Sequence, residues 1–76
     1  MKILIIDDSG GTREWIYNEL VSLGFDGADI DQADNGATAI RKISADAYDL
    51  FLVDLVMPGI DGVRVVKEIK DRRPQA

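Results

Sequence analysis

Apolar positions along this chain change period repeatedly, and each change marks an element. Residues 2–7 (KILIID) form a continuous apolar run ending in acid, which predicts a strand covered on both faces. Ser9, Gly10 and Gly11 predict a loop. From Thr12 the spacing becomes helical, with Ile16, Leu20 and Leu23 forming one stripe at i, i+4 and i+7. Gly24 then stands where a left-handed residue would end that helix. Residues 28–33 (ADIDQA) alternate weakly and carry several polar side chains, as expected of a short edge strand protected by its charges.

Asn35-Gly36 is a turn signal, and Ala37, Ile40 and Ile43 predict a second, shorter helix. Residues 48–53 (YDLFLV) predict a second strongly apolar strand, ending at Asp54. Met57-Pro58-Gly59-Ile60-Asp61-Gly62 predicts a loop, and Val63, Val66 and Ile69 a third helix that stops before Pro74. The order is β-α-β-α-β-α, which implies an α/β fold: a parallel sheet with helices packed on it through right-handed crossovers. The polar strand belongs at an edge and the apolar strands inside, giving strand order 2-1-3. The third strand then asks for a further neighbour. Its bare apolar edge, residues 50–53, predicts a homodimer in which this strand pairs with its copy across a two-fold axis.

With 76 residues, 46% hydrophobic and 30% charged, the chain suits one small domain. A domain of this size buries only about 60% of the surface exposed on unfolding, so its stability is marginal. No apolar run approaches the roughly 20 residues that span a bilayer. Lys2 and a five-residue apolar stretch do not make a signal peptide, so a cytoplasmic location is expected. There are no Cys and no His, which excludes disulfides, thiolate zinc sites, phosphohistidine, and Ser-His-Asp or Cys-His hydrolysis within this chain. The net charge of −5 argues against direct nucleic-acid binding. Basic residues gather only at Lys67, Lys70, Arg72 and Arg73, where they suit the negative end of a helix.

In a parallel α/β sheet the C-terminal strand ends share one edge, and ligands bind there. Asp7 and Asp8 follow the first strand and Asp54 the third. Neighbouring strands lie about 4.8 Å apart, so these carboxylates can converge. Two carboxylates about 4 Å apart repel by about 4 kcal/mol at an effective dielectric near 20, so such a cluster calls for a cation or a proton. Hard oxygen ligands suit Mg²⁺, and a carboxylate beside that ion can act as a nucleophile towards phosphorus. The alternatives are plain: Asp8 and Ser9 as loop or N-cap residues, and Asp54 as a loop-start residue.

Ile5-Ile6-Asp7-Asp8-Ser9, followed by Leu52-Val53-Asp54-Leu55-Val56-Met57-Pro58-Gly59-Ile60-Asp61-Gly62, resembles the receiver domain of two-component response regulators. The resemblance spans the whole chain. It implies a three-layer flavodoxin-like (CheY-like) fold with helices on both faces of the sheet. It also implies a phosphoacceptor rather than an enzyme, with self-phosphorylation at most. A histidine kinase or phosphotransfer protein would modify Asp54. Mg²⁺ would be held by Asp7, Asp8, Asp54 and the backbone carbonyl of Val56, with Asp8 the more direct ligand of the pair. Pro58 and Gly62 would shape the loop after the third strand. Gly11, Thr12, Trp15 and Asn18 would face the kinase, although Trp15 and Tyr17 also read as residues over the core rim.

The chain ends after its third βα unit, just past Pro74, so it reads as a truncated or engineered half-receiver. The family's fourth and fifth strands carry a switch Ser or Thr and a phosphate-pairing Lys. No lysine here replaces that Lys by sequence context: Lys2 begins a strand at the wrong edge, and Lys42, Lys67 and Lys70 lie in helical patterns. The second reading is therefore a folding or dimerisation fragment without phosphotransfer. A free-standing haloacid-dehalogenase-type phosphatase fits worse, because it needs D-x-D after its first strand.

Overall fold

The aliphatic side chains of Ile3, Leu4, Ile5 and Ile6 are all 0% exposed. An extended chain points alternate residues to opposite faces, so burying every one requires a layer on each side. The computed structural model describes residues 1–54 and 62–72. Its elements are β1 (Ile3–Ile6), α1 (Gly10–Ser22), a 3-10 turn (Gly27–Asp29), β2 (Ile30–Ala33), α2 (Gly36–Ala45), β3 (Leu50–Val53) and α3 (Gly62–Arg72). The sheet is parallel with order β2-β1-β3, and Ile6 lies in register with Ala33 on one side and Val53 on the other.

Leu4 and Ile6 face a cluster completed by Ala33, Ala39, Ile43, Tyr48, Val65 and Ile69, under α2 and α3. Ile3, Ile5 and Ile30 face the other way, where Ile16, Tyr17, Leu20 and Phe25 cover them from α1 and the turn after it. The expected order and the two helical layers are thus present. Leu50, Phe51, Leu52 and Val53 of β3 are only half-buried. No strand among the described residues pairs with the outer side of β3.

The helices differ from the sequence reading in their starts and in their inward faces. Gly10 and Gly11 are not loop but the first turn of α1, because Ser9 caps it: its Oγ accepts the Thr12 N–H at 3.3 Å. Asn35-Gly36 is likewise a helix start rather than a turn, with Asn35 Oδ1 accepting the Thr38 N–H at 2.8 Å. Residues 28 and 29 belong to the 3-10 turn, and the edge strand begins only at Ile30. Leu23 is 75% exposed as the C-cap of α1, and Phe25 fills the core place expected of it. On α2 the buried residues are Gly36, Ala39 and Ile43, while Ala37 is exposed and Ile40 half-buried. Small residues let this helix approach the sheet closely, which an apolar count does not register. On α3 the buried pair is Val65 and Ile69; Val63 and Val66 are exposed beside β3.

Gly24 matches its expected role. Its φ of 104° is left-handed, its N–H donates to the Val21 carbonyl at 3.0 Å, and the Phe25 N–H reaches the Leu20 carbonyl at 3.1 Å. This is a Schellman closure, with Phe25 and Leu20 packed into the same cluster.

Candidate functional site

The ladder that holds the sheet together continues one residue past its strand ends. The Asp7 N–H donates to the Ala33 carbonyl at 3.1 Å, and the Asp54 N–H donates to the Ile6 carbonyl at 2.8 Å. Asp7 and Asp54 therefore leave neighbouring strands at the same level and the same edge. One carboxylate oxygen from each of Asp7, Asp8 and Asp54 lies within 4.8 Å of the others. Asp7 and Asp54 are half-buried and Asp8 is exposed. Three like charges at this separation favour a divalent cation, and an all-oxygen donor set open to solvent fits Mg²⁺. An open cleft of about 380 Å³ lies alongside, lined by Ile5, Asp7, Ile16, Leu52, Val53 and Asp54.

The β1–α1 turn divides the work expected of Asp8 and Ser9. Ser9 takes the N-cap role, which leaves the Asp8 carboxylate in the acid cluster. The Ser9 N–H donates to Asp7 Oδ1 at 2.9 Å and so fixes that carboxylate. Two contacts went unread in the sequence. Arg13 Nη1 donates to the Asp7 carbonyl at 2.6 Å, and Arg13 Nε donates to Gln32 Oε1 at 3.2 Å. The only signal for them was an arginine one turn inside a capped helix.

Gly11, Thr12, Trp15 and Asn18 are all exposed on α1, and Gly11, Trp15 and Asn18 share one face at i, i+4 and i+7. Trp15 is 64% exposed, whereas Tyr17 packs against the α1-side cluster, so only one of the two aromatics lies over the core rim. Val56 and Pro58 lie outside the described residues, as do Met57, Gly59, Ile60 and Asp61; Gly62 begins α3. At the opposite edge of the sheet, Lys2 Nζ pairs with Asp46 at 3.2 Å and stands 5.3 Å from the Tyr48 ring centre. Lys2 is thus at the wrong edge to serve the acids.

Comparison with known proteins gives a consistent result. The sequence profile described as the response regulator receiver domain matches residues 3–76. The chain is 40% identical over 75 residues to the chemotaxis protein CheY of Bacillus subtilis, covering 99% of this chain and 61% of that protein. It is 39% identical over 72 residues to the transcriptional regulatory protein ResD of the same organism, covering 95% of this chain and 29% of that protein. Among solved structures, the response regulator TrrA from Thermotoga maritima in complex with Mg²⁺-BeF superposes with a TM-score of 0.87 at 40% identity. That match covers 97% of this chain and 63% of the TrrA chain. TrrA in complex with the histidine kinase ThkA also matches with a TM-score of 0.87, over 100% of this chain and 64% of that one. The chain therefore spans less than two thirds of the length of these relatives.

Proposed function

This chain belongs to the response regulator receiver domain family, and from that premise we propose that Asp54 is its phosphoacceptor. The observation that carries this reading is the convergence of Asp7, Asp8 and Asp54 at the C-terminal edge of β1 and β3. The phosphoryl donor is a histidine kinase or a phosphotransfer protein in the cytoplasm. Support comes from the TrrA structure with a histidine kinase. Receiver domains accept phosphoryl groups and are not conventional enzymes, so this chain is the substrate in a transfer between proteins.

Asp7, Asp8, Asp54 and the main-chain carbonyl of Val56 are the proposed Mg²⁺ ligands. Support comes from the oxygen donor set here and from the Mg²⁺-BeF complex of TrrA. When bound, Mg²⁺ supplies positive charge that lets an anionic phosphoryl group approach an anionic carboxylate. The chain's residues do the rest. The Ser9 N–H holds Asp7 in place, and the backbone hydrogen bond from Asp54 to Ile6 holds the acceptor at its strand end. An Asp54 carboxylate oxygen forms a bond to phosphorus as the P–N bond of the phosphohistidine breaks. The electron pair returns to the imidazole nitrogen, which takes a proton from water. The exposed face of Gly11, Thr12, Trp15 and Asn18, at the start of the helix that follows Asp8, is the proposed kinase contact.

Incubation with acetyl phosphate and Mg²⁺, followed by intact mass measurement, tests the reading. A single phosphoryl adduct that Asp54→Ala abolishes is expected. No adduct on the folded chain overturns it and favours a folding or dimerisation role without phosphotransfer; an adduct that survives the substitution overturns Asp54 as the acceptor. The partner surface has its own test. Trp15→Ala should slow transfer from a phosphorylated kinase while leaving the acetyl phosphate reaction unchanged.

A second copy of the chain is the proposed occupant of the outer β3 edge. The favouring observation is an apolar groove of about 640 Å³ beside that edge, lined by Phe51, Val53, Val63, Val66 and Ile69 among others. Pairing β3 with its copy in an antiparallel sense would cover both edges and bring the two α3 helices together. Sedimentation of the 76-residue chain at micromolar concentration should show a dimer. A folded monomer there refutes it.

A further inference from the structure

The short contact from Arg13 to the Asp7 carbonyl is not needed to build α1 or the sheet. The helix is already capped by Ser9, and the strand ladder is already complete through the Asp7 N–H. The guanidinium instead bridges two elements at the lip of the acid cluster: Nη1 grips the Asp7 carbonyl at 2.6 Å and Nε grips Gln32 of β2 at 3.2 Å. Asp7 is thereby held at three points. Its N–H is fixed by β2, its carbonyl by Arg13, and its Oδ1 by the Ser9 N–H. The carbonyl gripped by Arg13 belongs to the peptide that joins Asp7 to Asp8, so its orientation sets where Asp8 starts.

We propose that Arg13 is a positioning residue for the divalent-cation site, acting through the Asp7–Asp8 peptide and Gln32 rather than by touching the ion. This deepens the phosphoacceptor reading and rests on it. The proposal makes a prediction opposite in sign to simple electrostatics. A cation beside three carboxylates competes with Mg²⁺ for their field, so deleting its charge alone would tighten metal binding. Deleting a strut loosens the ligands and weakens binding, and groups that orient metal ligands typically contribute roughly 10- to 100-fold in affinity. Lysine keeps the charge but carries its donors on a single nitrogen, which cannot serve both the Asp7 carbonyl and Gln32 in the place of Nη1 and Nε, so Arg13→Lys should fall between wild type and Arg13→Ala.

The experiment is a calorimetric titration of the 76-residue chain with MgCl₂ alone, for wild type, Arg13→Ala and Arg13→Lys, with thermal unfolding of each in chelator. The expected result is Mg²⁺ affinity roughly 10-fold lower in Arg13→Ala and intermediate in Arg13→Lys. A purely structural role would lower the metal-free unfolding midpoint and leave the Mg²⁺ affinity of the folded chain unchanged; the expected result is the loss of affinity measured at a temperature where every variant is folded. Equal or tighter Mg²⁺ binding by Arg13→Ala overturns the proposal while leaving the phosphoacceptor reading intact. Absence of Mg²⁺ binding by wild type overturns both. Should Arg13→Ala not fold, Arg13→Lys carries the test, and affinity equal to wild type overturns the proposal.

Discussion

The Tyr48 hydroxyl donates to Asp31 Oδ2 at 2.6 Å, across the sheet face on which Leu4 is buried. Tyr48 precedes β3 and Asp31 belongs to β2, so one side chain links the two outer strands past the central one. The ring is 1% exposed and meets Phe51 edge-on at 5.8 Å. Burial, and next the hydrogen bond to Asp31, push the phenol well above its ordinary pKa of 10.0.

Tyr48→Phe keeps the ring and removes the link. A hydrogen bond to a charged acceptor contributes about 1.5–3 kcal/mol, and hydration of half-exposed Asp31 places the expected loss at the lower end. Urea unfolding at neutral pH measures it. The raised pKa also fixes a pH dependence. The folded chain holds the phenolic proton more tightly than the unfolded chain, so this contribution is complete below pH 10.0 and declines as pH rises above it. Tyr48→Phe should flatten that alkaline decline.

Gly24→Ala should destabilise the chain by about 1 kcal/mol, because alanine must adopt the left-handed φ of 104° that ends α1. Thermal unfolding provides the readout. Gly11→Ala is the matched control: a Cβ there meets nothing within 4 Å, and an added methyl at a helical position is neutral or stabilising.

Gly27 is constrained by a neighbour rather than by φ. The Tyr17 hydroxyl lies against it, so any Cβ at residue 27 collides with the phenol. Gly27→Ala should cost up to about 1 kcal/mol, because the half-buried Tyr17 ring can swing aside, and Tyr17→Leu in the same chain should recover part of that loss. A double-mutant cycle by denaturant unfolding checks the coupling.

If Mg²⁺ binds the folded chain alone, it must stabilise it. At a concentration about 100 times Kd the gain is about 2.7 kcal/mol, seen as a higher unfolding midpoint. Asp8→Ala should reverse the pattern. Without the ion it unfolds at a higher temperature than wild type, because one of three crowded like charges is gone; with Mg²⁺ it gains little.

The architecture could be read from sequence where two physical signals agreed. The run at Ile3–Ile6 is apolar on both faces and the Asp31-Gln32 pair is polar, so β1 had to be central and β2 an edge. The acid cluster was legible because strand ends in a parallel sheet share an edge. Helix faces were less legible. On α3, Val63, Val65, Val66 and Ile69 offer apolar groups on two sides, and spacing alone cannot tell which side meets the sheet and which borders the β3 groove. At Gly10 and Gly36 the glycine signal suggested chain reversal, while the preceding Ser9 and Asn35 supplied caps that start helices. The Arg13–Gln32 and Tyr48–Asp31 contacts join residues 19 and 17 positions apart, so no local pattern announces them, and the Arg13–Asp7 contact crosses the strand-to-helix turn, outside either element's period.

α1 contributes no fully buried side chain; it is held to the sheet by half-buried Ile16, Tyr17 and Leu20. It is therefore the layer with least cohesion, and the first expected to peel away in a partial opening. Yet Ser9 and Arg13, which grip Asp7, sit at its cap and its first turn. Detachment of α1 and loosening of the Asp7 and Asp8 carboxylates relative to Asp54 are thus coupled. A cation that gathers the acids clamps the helix down by the same free energy that helix detachment would subtract from its binding.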